Sequence, residues 1–117
     1  MKVFISQPMR GKTDEEILGR RAEIVAMLHQ AFPTKDIDVI DSFTKDESLK
    51  EKGSVAMLGH SISLMADADL VIFDWGHSMS IDEDYHPGME IEFHVAREYK
   101  IPGFNIGEID KLLELPS

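Results

Sequence analysis

One carboxylate in this chain stands where a hydrophobic side chain belongs. On a helical wheel at about 100° per residue, Gly88, Met89, Ile91, Phe93, Val95, Ala96 and Tyr99 fill one wide arc. Glu90, His94, Arg97 and Glu98 fill the opposite arc, and Glu92 falls near the middle of the apolar one. A buried carboxylate without a partner is expensive, and burial raises its pKa. Such a group is a nucleophile or proton carrier in a dry pocket, or it is half of a structural pair. Glu90 is the control, since it shares the polar arc with His86, His94 and Arg97 and reads as solvated helix surface. His86, Glu90 and His94 recur at one-turn spacing, but the His-Glu-x-x-His pattern of a metalloprotease helix is absent. No metal and no other cofactor is therefore expected.

Two loops carry further candidates. "QPMRGKT" brings Arg10, Gly11 and Lys12 to a capped helix N-terminus. Free amides, a glycine that lets backbone approach closely and two cations make a phosphate cradle. The Walker A spacing is missing, and basic loop residues are otherwise solvated surface. "DWGHS" puts Asp74 at a strand end, where it can accept a hydrogen bond or donate a proton. Trp75 beside it can stack on a ring or close the edge of the core. His60 and His77 have no partner that the sequence identifies.

These residues need elements to hold them. "KVFIS" is a strand that ends in the first loop. "TDEE" matches a capping box at Thr13, and Ile17, Ile24, Val25, Met27, Leu28 and Phe32 continue at helical spacing, so Asp14 to about Phe32 is a helix stopped by Pro33. "IDVID" is a second strand, and "SFTKDESLKEKG" is a polar loop. "SVAMLGHSISLMADA" is a second helix and "DLVIFDW" a central strand. After a polar loop from Gly76 to His86 come the helix of Glu92, a strand at "IPGFNI" and a short helix from Glu108 to Leu115. Strands alternating with helices predict a parallel sheet covered on both faces. Right-handed crossovers favour a small doubly wound α/β sheet, flavodoxin- or Rossmann-like, of about four strands in the order 2-1-3-4. The strands are placed near Val3–Ser6, Asp38–Asp41, Leu70–Asp74 and Gly103–Ile106. Ligands of such sheets bind beyond the carboxyl ends of the strands at the switch in order. Strands 1 and 3 flank that switch, so the "QPMRGKT" and "DWGHSMSIDEDYHPG" loops and the helix of Glu92 are the parts to inspect.

The chain of 117 residues suits a single domain, residues 1–117, with one core. Its 22 acidic and 12 basic residues give a net charge of -10, which repels nucleic acid and anionic membranes, so neither is expected as a partner. There is no cysteine, which excludes disulfides, a thiol nucleophile and a cysteine zinc site. "MKVFIS" runs straight into polar loop residues and reads as no signal peptide, and no apolar stretch is long enough to span a bilayer. The expected compartment is the cytoplasm.

"KVFISQPMRGKT", "LGHSISLMADADLVIFDW" and "GMEIEFHVAREYKIP" together resemble the nucleoside 2-deoxyribosyltransferase-like superfamily, most closely a small bacterial and phage branch of unknown function. The likeness covers most of the chain and is thinnest at Ser42–Gly53. Its strongest part is Glu-x-x-x-Ala followed by the Lys-Ile-Pro strand entry. The resemblance implies that Glu92 is the nucleophile, while the alternative register "GME" would choose Glu90 and place Asp84 where relatives often carry an aspartate. It also implies a small-molecule nucleoside or nucleoside 5′-monophosphate as substrate. Gln7, Pro8, Met9, Arg10, Gly11, Lys12, His60, Trp75 and Gly88 would contact it, and Asp74, Asp84 or His60 would protonate the leaving base. A homo-oligomer is implied as well. There are departures. Phe4 stands where transferases often carry a tyrosine that orients the glutamate, Ser61 where many carry an aspartate, and Gln7 replaces a common glycine. The expected activity is cleavage or transfer at the N-glycosidic bond. The alternative is a non-catalytic nucleotide-binding or sensing module, which the missing tyrosine and aspartate favour.

Overall fold

A computed structural model describes residues 1–7, 12–40, 51–74 and 87–109. The elements follow the order β1 (Lys2–Ser6), α1 (Asp14–Ala31), β2 (Asp38–Val39), α2 (Ser54–Met65), β3 (Leu70–Phe73), α3 (Pro87–Glu98) and β4 (Gly103–Asn105). Residues 106–109 continue as a helical stretch. All strand pairs are parallel and the order is β2-β1-β3-β4, as the alternation predicts. Val3 to Ser6 of β1 lie opposite Leu70 to Phe73 of β3, so these two strands end level with each other.

Local chemistry starts α1 where the sequence says it should. The Glu16 amide donates to the Thr13 hydroxyl and the Thr13 amide donates to the Glu16 carboxylate, each at 3.2 Å. Such a cap contributes about 1 kcal/mol and fixes the point at which the chain leaves the first loop. At the other end the Phe32 amide still reaches the Leu28 carbonyl, and Pro33 has no amide to continue. α3 ends in a tight turn in which Lys100 takes a left-handed backbone conformation (φ 59°) and the Ile101 amide returns to the Ala96 carbonyl at 2.8 Å.

The two faces of the sheet are covered by different helices, as right-handed crossovers require. Val3, Ile5, Leu70 and Ile72 pack with Ile24 and Leu28 of α1 and with Ile106 and Ile109. Phe4, Val71 and Phe73 pack with Met65 of α2 and with Met89 and Ala96 of α3. Alternation along a strand decides which residue serves which face. Ser6 therefore follows Phe4 toward α3, and Gln7 follows Ile5 toward α1.

Some sequence expectations need adjustment. β2 is shorter than expected, spanning Asp38–Val39, although the Ile40 amide still bonds to the Val3 carbonyl at 2.9 Å. β4 stops at Asn105 because Ile106 turns into the helical stretch and is buried there. The buried stripe of α3 is narrower than the wheel suggests. It consists of Met89, Glu92 and Ala96 with Val95 partly buried, whereas Ile91 is 43% and Tyr99 77% exposed. A wheel sorts residue types; the sheet and α2 cover only the part of the helix they touch. Phe93 sits at the rim, edge-on to Phe73 with ring centroids 5.6 Å apart. Residues 42–50 of the expected Ser42–Gly53 loop and most of the final helix lie outside the described residues. Among the described residues no helix is long and apolar enough to cross a membrane.

Candidate functional site

The carboxyl ends of β1 and β3 are tied together, with the Asp74 amide donating to the Ser6 carbonyl at 2.8 Å. Around this junction the described residues gather polar groups that are otherwise absent from the core. Ser6, Gln7, Arg21, Asp74 and Glu92 are its buried polar or charged residues.

Glu92 lies in the second turn of α3 and is 8% exposed. The Ser6 hydroxyl donates to its Oε1 at 3.2 Å. Burial pushes the Glu92 carboxyl up to about 7, and the Ser6 hydrogen bond opposes that rise. Near neutral pH the group thus stands between its charged and neutral forms, the condition in which a carboxyl exchanges protons or gains reactivity most readily. Phe4, two residues before Ser6 on the same face, is core and brings no hydroxyl to the carboxylate. Glu90 is exposed, with only a 3.8 Å approach to His94, as the polar arc predicts.

Asp74 is held from the α1 side. Arg20 donates to it through a fork, Nε to Oδ2 at 3.0 Å and Nη2 to Oδ1 at 2.9 Å, and its Nη1 reaches Glu23 at 2.9 Å. The bond to Asp74 raises the Arg20 pKa, so the guanidinium is permanently charged. A carboxylate with both oxygens in such a fork is an acceptor and an anchor. Gln7 is anchored on the same side, its Nε2 donating to the Ile17 carbonyl at 3.0 Å and its Oε1 accepting from Arg21 Nε at 2.9 Å. Its amide orientation follows, because the guanidinium only donates and the carbonyl only accepts.

Comparison with family models, with curated proteins and with solved structures returned no match for this chain. The site therefore stands on its own geometry.

A groove of about 370 Å³ opens beside Asp74 and Gln7, floored by Gly19 of α1. Lys12 and Arg20 line it together with Glu15, Glu16, Glu23 and Asp74. The carboxylates outnumber the cations, and Arg20 is already engaged, so within the described residues Lys12 alone is left to attract an anion there. Glu92 is not among the lining residues. The groove belongs to the Gln7 side of the sheet edge and Glu92 to the Ser6 side.

Of the other expected contacts, His60 is half-buried on α2, where its carbonyl accepts from the Ser63 hydroxyl at 2.7 Å. Gly88 opens α3 against α2, and a methyl group there would meet Leu58 at an ordinary 3.8 Å. Pro8, Met9, Arg10, Gly11, Trp75 and Asp84 lie outside the described residues. Among the described residues no cluster of ligating side chains could hold a metal ion. Ser6, Arg20 and Arg21 were not expected from the sequence. Arg21 carries the same signal as Glu92, a charge on the buried stripe of Ile17, Ile24 and Leu28. Ser6 carries no such signal.

Proposed function

We propose that the protein cleaves or transfers the N-glycosidic bond of a (deoxy)nucleoside or its 5′-monophosphate, with Glu92 as the nucleophile. The observation that carries this reading is a buried carboxylate with a pKa near 7 at the carboxyl edge of the two central strands, bonded only to a neutral hydroxyl among the described residues. A structural carboxylate at such a depth is ordinarily paired with a cation. Glu92 has no such partner there, whereas Asp74 close by has one.

The reaction divides one difficult substitution into two easier ones. A Glu92 oxygen bonds to the anomeric carbon as the carbon–nitrogen bond breaks, and that electron pair leaves with the base. An acid protonates the base, and Asp84 or His60 is assigned this step because Asp74 is fully engaged by Arg20. Water then attacks the anomeric carbon of the ester, releasing the sugar, returning Glu92 as a carboxylate and giving up one proton. A second base in place of water gives transfer instead. Trp75 is assigned to stacking on the base and Arg10, Gly11 and Lys12 to the phosphate. The resemblance to deoxyribosyltransferase-like proteins supports this division of roles, and the place of Glu92 at the carboxyl edge of the central strands supports its own part in it.

The test is release of free base from a panel of nucleosides and their monophosphates, followed by chromatography. Changing Arg10 and Lys12 together to alanine is expected to weaken monophosphate binding far more than nucleoside binding. Charge-assisted hydrogen bonds contribute about 1.5–3 kcal/mol each when desolvated. Titration calorimetry with both ligands reads the difference, and equal losses would remove the loop from phosphate recognition.

A further inference from the structure

Among the described residues Ser6 is the hydrogen-bond partner of Glu92, donating from Oγ to Oε1. Its place is fixed independently of that bond. Ser6 is 1% exposed, lies opposite Phe73 in the central strand pair, and accepts from the Asp74 amide through its own carbonyl. The hydroxyl thus rides on the most constrained part of the sheet, while Glu92 is carried by a helix at the sheet's surface. The 3.2 Å separation leaves room to shorten toward about 2.6 Å, the length of a hydroxyl–carboxylate bond, when Glu92 is charged. Building on the function proposed above, we propose that Ser6 is the positioning residue of the Glu92 carboxylate, holding one oxygen in place so that the other is presented to the sugar carbon.

The bond does two things at once. It restricts the carboxylate to one orientation, which a nucleophile needs for a productive approach. It also favours the ionised form that attacks, against the burial that disfavours it. The titratable groups on the described elements packed against α3 are Lys2 at the start of β1, His60 of α2 and Asp74 just beyond β3, the last ion-paired with Arg20. β3 and β4 themselves contain none, and Glu90, His94, Arg97 and Glu98 of α3 point to solvent.

The experiment compares the wild type with Ser6→Ala and Ser6→Thr in two measurements. The first is an NMR titration of the Glu92 side-chain carboxyl carbon in protein labelled with ¹³C-glutamate, assigned with Glu92→Gln. The second is the pH profile of kcat and KM for base release. Ser6→Ala is expected to move the Glu92 midpoint up by about one pH unit. The acid limb of kcat should move by the same amount and KM should hardly change, because Ser6 touches the carboxylate and not the substrate. Ser6→Thr keeps the hydroxyl and should restore both. An unmoved midpoint in Ser6→Ala with cleavage intact overturns the role of Ser6 alone. A moved midpoint with an unmoved acid limb also overturns it. No base release by the wild type, whatever the midpoint does, overturns the proposed function and the positioning role with it.

Discussion

Glu92→Gln is expected to abolish glycosidic cleavage and, at pH 8, to give a more stable protein than the wild type. An amide cannot form the glycosyl ester, so kcat should fall by more than about 10⁴-fold. The gain in stability follows from linkage. The folded state raises the Glu92 pKa from 4.5 to about 7, so between these values the folded protein binds more protons than the unfolded chain. The contribution of this group is fully present below pH 4.5 and is lost as pH rises through 7. At about 1.4 kcal/mol for each tenfold change in proton affinity, the loss by pH 8 is about 3 kcal/mol. Glutamine has the same shape, still accepts from Ser6 and carries no charge to desolvate. The difference in unfolding free energy between the two proteins should therefore be large at pH 8 and vanish toward pH 4.5. Urea unfolding across that range reads it. A variant less stable than wild type at pH 8 would mean that the carboxylate has a partner whose loss outweighs desolvation.

The second large effect is expected at Arg20. Arg20→Met leaves the Asp74 carboxylate, 9% exposed, without its fork and should destabilise the protein by about 3 kcal/mol. That lies at the low end for a buried pair, because the Arg20 side chain is 38% exposed and part of its interaction is screened by water. Arg20→Lys should recover only part of the loss, since an ammonium cannot donate in parallel to both oxygens. Adding Asp74→Asn to Arg20→Met should cost less than the sum of the single changes, because the abandoned charge is gone. A loss below about 0.5 kcal/mol in Arg20→Met would put the pair among surface ion pairs and free Asp74 for proton transfer.

Periodicity made most of this fold legible. Alternating strand and helix patterns, with right-handed crossovers, lead to the order β2-β1-β3-β4 that the structure has. Glu92 stood out because a charge on an apolar stripe conflicts with local rules, and such conflicts gather at functional or paired sites. The same rule points to Arg21, whose neighbours Ile17, Ile24 and Leu28 form the buried face of α1. What escaped the sequence is what depends on distant partners. Ser6 and Glu92 are 86 residues apart, and Arg20 and Asp74 are 54 apart. A serine at a strand end has no pattern of its own, and Arg20 reads as one charge among several on an exposed helix face. The exposure of Ile91 and Tyr99 was equally hidden, because it depends on where the sheet stops.

The most direct test of Glu92 as a nucleophile is capture of the intermediate. A 2-fluoro-substituted nucleoside slows both steps by withdrawing electrons from the oxocarbenium-like transition state, and with a good leaving base the ester accumulates. Incubation with such a compound, proteolysis and mass spectrometry should find a fluorosugar on the peptide that contains Glu92. Fragmentation should place it on that residue, and Glu92→Gln should carry none. Base release from natural nucleosides with no adduct on Glu92, or with the sugar on another side chain, would contradict the account.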